Sequence, residues 1–235
     1  MDTSALVSGF LYYIVFLFST TVHEAAHAWA AKMGGDLTAY HGGQVSLDPR
    51  PHIAREPFGM VVLPVLSTLT SGWPFGFASA PYDPEWALRY PKRAAWMAIA
   101  GPASNLALVI LAIIAIRIGV LAGVFYAPDS AGFGQVIGTE AGGVWPGVAA
   151  LVSIVFSMNL VLACLNMFPL PPLDGSAAVL LLMDESTANR YQRWLWSTPM
   201  FAMVGMLIAW RVFDVIFYPI FWAFLAVIYP GAAYS

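Results

Sequence analysis

The chain has 235 residues, 60% of them hydrophobic and only 10% charged, with a formal net charge of −3. Soluble domains carry about 25% charged residues, so lipid rather than water must cover much of this surface. The acidic balance, without any Lys/Arg cluster, excludes a nucleic-acid partner, and the single Cys164 excludes an intramolecular disulfide and a multi-cysteine metal site.

Four apolar runs, at 5–29, 94–125, 144–170 and 199–229, each reach the roughly 20 residues a helix needs to cross a hydrocarbon core. The N-terminus lacks a positively charged n-region, so the first run reads as a retained span. Gly34-Gly35-Asp36 ends it. In the polar stretch 36–56, residues 37–41 and 44–47 flank Gly42-Gly43, the pattern of a tight β-hairpin. Lys32, Arg50 and Arg55 assign this side to the cytoplasm by the positive-inside rule.

Run 58–77 is apolar, short and interrupted by Pro64, and a basic loop with Arg89, Lys92 and Arg93 follows it. Such a run is expected to enter and leave on the same face. After the next span comes a Gly-rich external segment, 128–147. The following span breaks at Pro169, Pro171 and Pro172, and a cytoplasmic loop carries Asp184, Glu185, Arg190 and Arg193. The last run holds Arg211, Asp214 and Pro219 and reads as one tilted helix or a broken pair. Arg211 and Asp214, three apart, are expected to pair on one helix face. The expected fold is an all-α polytopic membrane protein: a bundle of about four to six transmembrane helices, a re-entrant segment and a small cytoplasmic β-hairpin. Residues 1–235 read as one membrane-embedded domain with C-terminal apolar helices at 199–229.

The chemistry concentrates in His23-Glu24-Ala25-Ala26-His27. Positions four apart share a helix face, so both imidazoles can reach one metal ion, and Glu24 lies beside that face where it can polarise a metal-bound water. Ionisable groups inside a span are costly and are kept for function. Counting back from Lys32 places His27 roughly 8 Å below the cytoplasmic end of its helix.

A catalytic zinc takes three protein ligands and keeps one position open. Asp174 is the best third ligand, because the prolines before it forbid a regular helix, and irregular backbone at membrane depth must be buried or line a wet cavity. Its other reading is the N-cap of a following helix. Asn105, in Gly101-Pro102-Ala103-Ser104-Asn105, either donates to an oxyanion or bonds across helices, with Gly101 and Pro102 permitting close packing. Asn159 and Asn166 carry the same two readings. His41 and His52 read as surface histidines, and Cys164 as a small packed residue. A membrane cation transporter or channel is the rival functional class, but its polar residues would recur along a path across several helices.

Together the segments 23–27, 101–105 and 166–175 resemble the site-2 protease family of intramembrane zinc metalloproteases, over about residues 10–180. The resemblance implies that His23, His27 and Asp174 hold one Zn2+ and that Glu24 is the general base. It also implies an oxyanion-stabilising role around Asn105 or Asn166. The implied substrate is the transmembrane segment of another membrane protein in the bilayer, cut after a first cleavage by another protease. The implied location is the cell membrane of a bacterium, with the site toward the cytoplasm. No room exists for an inserted PDZ module or CBS pair, so the compact branch of the family is the expected match. The oligomeric state is not legible.

Overall fold

The computed structural model describes residues 3–198, 200–232 and 234, so Pro199, the first residue of the last apolar run, lies outside the described residues. Four helices are long and apolar enough to cross a membrane: α1 (Thr3–Gly34), α6 (Pro91–Leu121), α7 (Trp145–Asn166) and α10 (Met200–Ile228). The last apolar run is therefore one helix, continuous through Pro219. Helices α1, α6 and α7 pack together as the central unit, and α10 leans on α6 and α7. Phe156 of α7 meets Phe221 of α10, ring centroids 6.0 Å apart, in the largest apolar cluster, which also holds Phe217. Between helices in lipid it is fit rather than water exclusion that holds such a contact.

The short elements gather at one end. Asp36 accepts hydrogen bonds from the backbone N and hydroxyl of Thr38 (2.9 and 2.6 Å) and starts α2 (Thr38–His41). The expected β-hairpin is absent. Residues 38–41 form a helical turn, closed by Gly42 N donating to Thr38 O, and Gly43 leaves it at φ 75°. The Gly-Gly pair thus ends a helical turn that follows the Asp36–Thr38 turn, and no sheet forms among the described residues. Asp48 caps α3 (Pro49–Arg55), its side chain accepting from Arg50 N. His52 lies within α3, 1% exposed, its Nε2 3.0 Å from Ser46 O; it is not a surface histidine, whereas His41 is exposed.

A π-helical turn (Phe58–Val62) leads into α4 (Leu63–Ser71). Pro64 lacks the N–H that would bond Met60 O, and the Tyr13 hydroxyl supplies that donor instead. The chain then turns at Gly72 (φ 75°), and Phe77 N donates to Gly59 O at 3.1 Å. Segment 58–77 therefore comes back to the level at which it left, as a re-entrant segment must. Residues 74–83 continue without helix to α5 (Pro84–Arg89).

Side chains from this region close the end of α1: Trp86 Nε1 and Arg93 Nη1 both donate to Gly34 O at 3.0 Å. After α7 come α8 (Gly175–Ala178), a 3-10 turn (Val179–Leu182) and the amphipathic α9 (Glu185–Ser197). Lys92 Nζ donates to the carbonyls of Leu180, Leu181 and Met183, which fixes the 3-10 turn to α6. At the opposite end the Gly-rich segment folds back through isolated bridges, Tyr126 with Gly138 and Gly132 with Gln135. Arg211 and Asp214 are both exposed on α10 and form no ion pair, contrary to the pairing expected from their spacing.

Candidate active site

Positions 23, 24 and 27 lie two to three turns before the end of α1, and all three residues are buried. The rings of His23 and His27 meet edge to face with centroids 4.6 Å apart. They fit because α6 presents Gly101 to them, where a Cβ would collide with Nε2 of both rings. The sequence Gly-Pro-Ala-Ser-Asn thus brings α6 onto α1 through its glycine.

The ring tautomers follow from the outer partners. Met97 O, 2.7 Å from His27 Nδ1, can only accept, so that nitrogen carries the proton. Asn105 Oδ1 lies 2.5 Å from His23 Nδ1. Its amide orientation is fixed in turn, because Asn105 Nδ2 donates to Asn159 Oδ1 at 2.8 Å, and Asn159 Nδ2 donates to Ser19 Oγ and Val155 O. Both Nδ1 atoms are therefore donors, and both Nε2 atoms present lone pairs inward.

Those lone pairs converge. His23 Nε2 and His27 Nε2 are 2.9 Å apart, and Asp174 Oδ2 lies 3.1 and 3.3 Å from them. Three acceptors facing one another in a buried place repel unless a cation sits among them. Tetrahedral zinc with bonds of about 2.0–2.1 Å sets its ligand atoms roughly 3.3 Å apart, so this donor set fits the ion. Asp174 begins α8 but its side chain caps nothing; the carboxylate is turned to the histidines instead. Gly175 makes this turn possible, since a Cβ there would strike the carbonyl oxygens of Met167 and Phe168. Glu24 Oε2 is buried beside them with no hydrogen-bond partner.

A cavity of about 400 Å³ reaches this cluster, with Glu24, His27 and Asp174 in its wall. One side is the non-helical stretch containing Ala78, Ser79, Ala80 and Tyr82, and another is α9. Asn105, fully buried, stands behind His23 with both ends of its amide engaged. Asn166, at the end of α7, bonds Leu162 O through Nδ2 and is not part of the cavity wall. Ser19 and the Met97 carbonyl were not singled out from the sequence. Ser19 had a signal, being four residues before His23 on the same helix face. A main-chain carbonyl has none.

The sequence model of peptidase family M50 matches residues 11–207. The chain is 34% identical over 176 residues to "Putative zinc metalloprotease YwhC" of Bacillus subtilis, covering 71% of this chain and 70% of that protein. It is 30% identical over 194 residues to "Putative zinc metalloprotease Rip2" of Mycobacterium tuberculosis, covering 82% of this chain and 63% of that one. No solved structure matches. With the family match running across the three helices that build the site, the chain belongs to peptidase family M50, the site-2 protease family of zinc metalloproteases, as a multi-pass membrane member.

Proposed function

We propose that this protein hydrolyses a peptide bond within or beside the transmembrane segment of another membrane protein, as a step of regulated intramembrane proteolysis. The whole chain is one peptidase domain in this reading. His23, His27 and Asp174 hold one Zn2+, and Glu24 is the general base. The observation that carries the reading is the convergence of two Nε2 lone pairs and one carboxylate oxygen beside the unpartnered Glu24 Oε2.

When bound, zinc supplies Lewis acidity, bringing the pKa of water toward about 7 and polarising a carbonyl. Glu24 accepts the proton of the attacking water on its free oxygen and returns it to the leaving amine. Asn105 and the Met97 carbonyl hold the two imidazoles in the tautomer that binds metal. The two Nδ2 hydrogens of Asn105 go to Asn159 Oδ1 and, at 3.4 Å, to Ser19 O, so Asn105 is a positioning residue with no donor left for an oxyanion. Asn166 takes no step in this reading. A helical substrate hides its carbonyls in its own hydrogen bonds, so the segment to be cut must unwind before it lies in the cavity.

All Lys and Arg except Arg117 and Arg211 sit at the end of the bundle that carries the site, which supports a cytoplasmic active site in the cell membrane of a bacterium. The cation-transport reading gains nothing from the polar network, which runs from His23 only as far as Ser19 and the main chain of α7.

The test is cleavage of a panel of single-span substrates by the purified chain in detergent beside Glu24→Gln, with zinc quantified in both. Wild type should cut, and the variant should keep zinc while losing roughly 10²–10⁴ in rate. Equal cleavage by the variant would remove Glu24 from the chemistry. A wild-type protein that binds no zinc would overturn the ligand assignment.

A further inference from the structure

Among the described residues, six buried side-chain polar atoms have no hydrogen-bond partner. Two of these belong to residues in the wall of the catalytic cavity. One is Glu24 Oε2; the other is Oε1 of Gln192.

Gln192 lies on α9, outside the segments that build the metal cluster. Asp184 caps that helix, its carboxylate accepting from the backbone N of Ser186 and of Thr187 at 3.0 and 3.1 Å. Ala188, fully buried, seats it against Ala95 and Leu180. Four residues on, the same face brings Gln192 inward between Tyr191 and Leu195. The residue is 6% exposed. An unpartnered amide at an apolar helix contact is unfavourable, and a leucine of similar size would fill the place without that cost. Gln44 shows the ordinary arrangement in the same molecule: 2% exposed, with Nε2 donating to Ser79 O at 3.3 Å.

We propose that Gln192 is a substrate-binding residue whose carboxamide pairs with the main chain of the unwound substrate segment. This rests on the protease reading above. A carboxamide offers a donor and an acceptor together, as a peptide unit does. Unwinding frees substrate N–H and C=O groups in a cavity sheltered from bulk water, where each needs a partner. The extended stretch 78–82 and the face of α9 bound that cavity from different sides, so a peptide lying between them meets Gln192. Every peptide presents the same backbone groups, so the contact contributes affinity while leaving side-chain preference unchanged.

The experiment compares the full chain with Gln192→Leu in detergent, measuring zinc content, thermal midpoint, KM and kcat on a cleaved single-span substrate. Expected are unchanged zinc, an equal or higher midpoint, a KM raised about tenfold and a kcat within about twofold, the pattern of a binding contact made equally in ground and transition states. A second arm replaces single amides around the scissile bond with esters, deleting one N–H at a time. The position that weakens wild type most should have little further effect on Gln192→Leu.

An unchanged KM, or ester penalties that persist in full in the variant, would overturn the proposal. So would a lowered midpoint with wild-type KM, which identifies Gln192 as packing. If the wild type holds zinc but cuts no substrate, the protease reading fails and the proposal falls with it. If wild type cuts and only the KM prediction fails, the protease reading stands alone.

Discussion

His23 and His27 take their geometry from residues 82 and 70 positions away in the chain. Asn105 fixes one imidazole and a main-chain carbonyl fixes the other, so they differ in how mutation reaches them. Asn105→Leu removes the acceptor for the His23 proton, and zinc affinity should fall about 10–100-fold by competition with a chelator. Asn105→Asp keeps an acceptor and should retain most of that affinity. Gly101→Ala introduces a methyl where the two rings lie and should abolish stoichiometric zinc in a protein that still inserts in membranes.

At this scale the sequence was generous where spacing carries the information. A four-residue interval fixes a shared helix face, so His23 and His27 were legible, and the prolines before Asp174 announced an irregular backbone. It could not choose between the two readings of Asn105, because donor and acceptor lie on one side chain and only its neighbours orient it. Gln192 was invisible for a similar reason: in a polar, amphipathic stretch, no pattern says which of the side chains turns inward without a partner.

Among the elements, the β-hairpin at 37–47 gave way to a helical turn because the Asp36 carboxylate turns the chain onto Thr38, a local hydrogen bond that outweighs the turn preference of Gly42-Gly43. The re-entrant segment was legible from length and flanking charge, but the contact that satisfies the carbonyl left by Pro64 was not, since Tyr13 reaches it from 47 positions away. Tyr13→Phe should cost about 1 kcal/mol of stability, read as a lower thermal midpoint with no loss of zinc.

Helix α9 offers a pH test. Hydrogen bonds from Thr187 and Ser186 hold the Asp184 carboxyl well below the usual carboxylate range. A lowered folded-state pKa means the cap stabilises fully above the unfolded value of about 4 and is lost as pH falls below it. Amide protection of residues 185–188, corrected for intrinsic exchange, should be level from pH 8 to 5 and decline below pH 4. In Asp184→Ala it should already be reduced at pH 7.

For the whole molecule, four spans with the basic loops gathered at one end predict opposite accessibility of the two ends. A cysteine at Arg50 should react with an impermeant thiol reagent only when the cytoplasmic face is open, and one at Thr139 only from outside, in a background where Cys164 is replaced by alanine. The four long apolar runs and the common depth of the three site segments were legible because hydropathy and charge report them directly. The number of spans was not, since Pro219 left the last run readable as one helix or a broken pair. The bend of the Gly-rich segment back over the bundle was not, since Tyr229 and Ser153, which hold it at Val136, are distant in sequence.

The returning path of residues 58–77 has a consequence for the lipid around it. Fourteen helical residues rise roughly 20 Å, short of a hydrocarbon thickness of about 30 Å. On that flank the protein fills only part of the membrane depth, measured from the end that carries the site, and acyl chains of the opposite leaflet must fill what remains beyond Gly72. Bilayers of different thickness press unequally on that flank and on the full-length helices. Turnover in vesicles should therefore change with acyl-chain length at constant zinc content, whereas a protein filled to full depth on every side would respond far less.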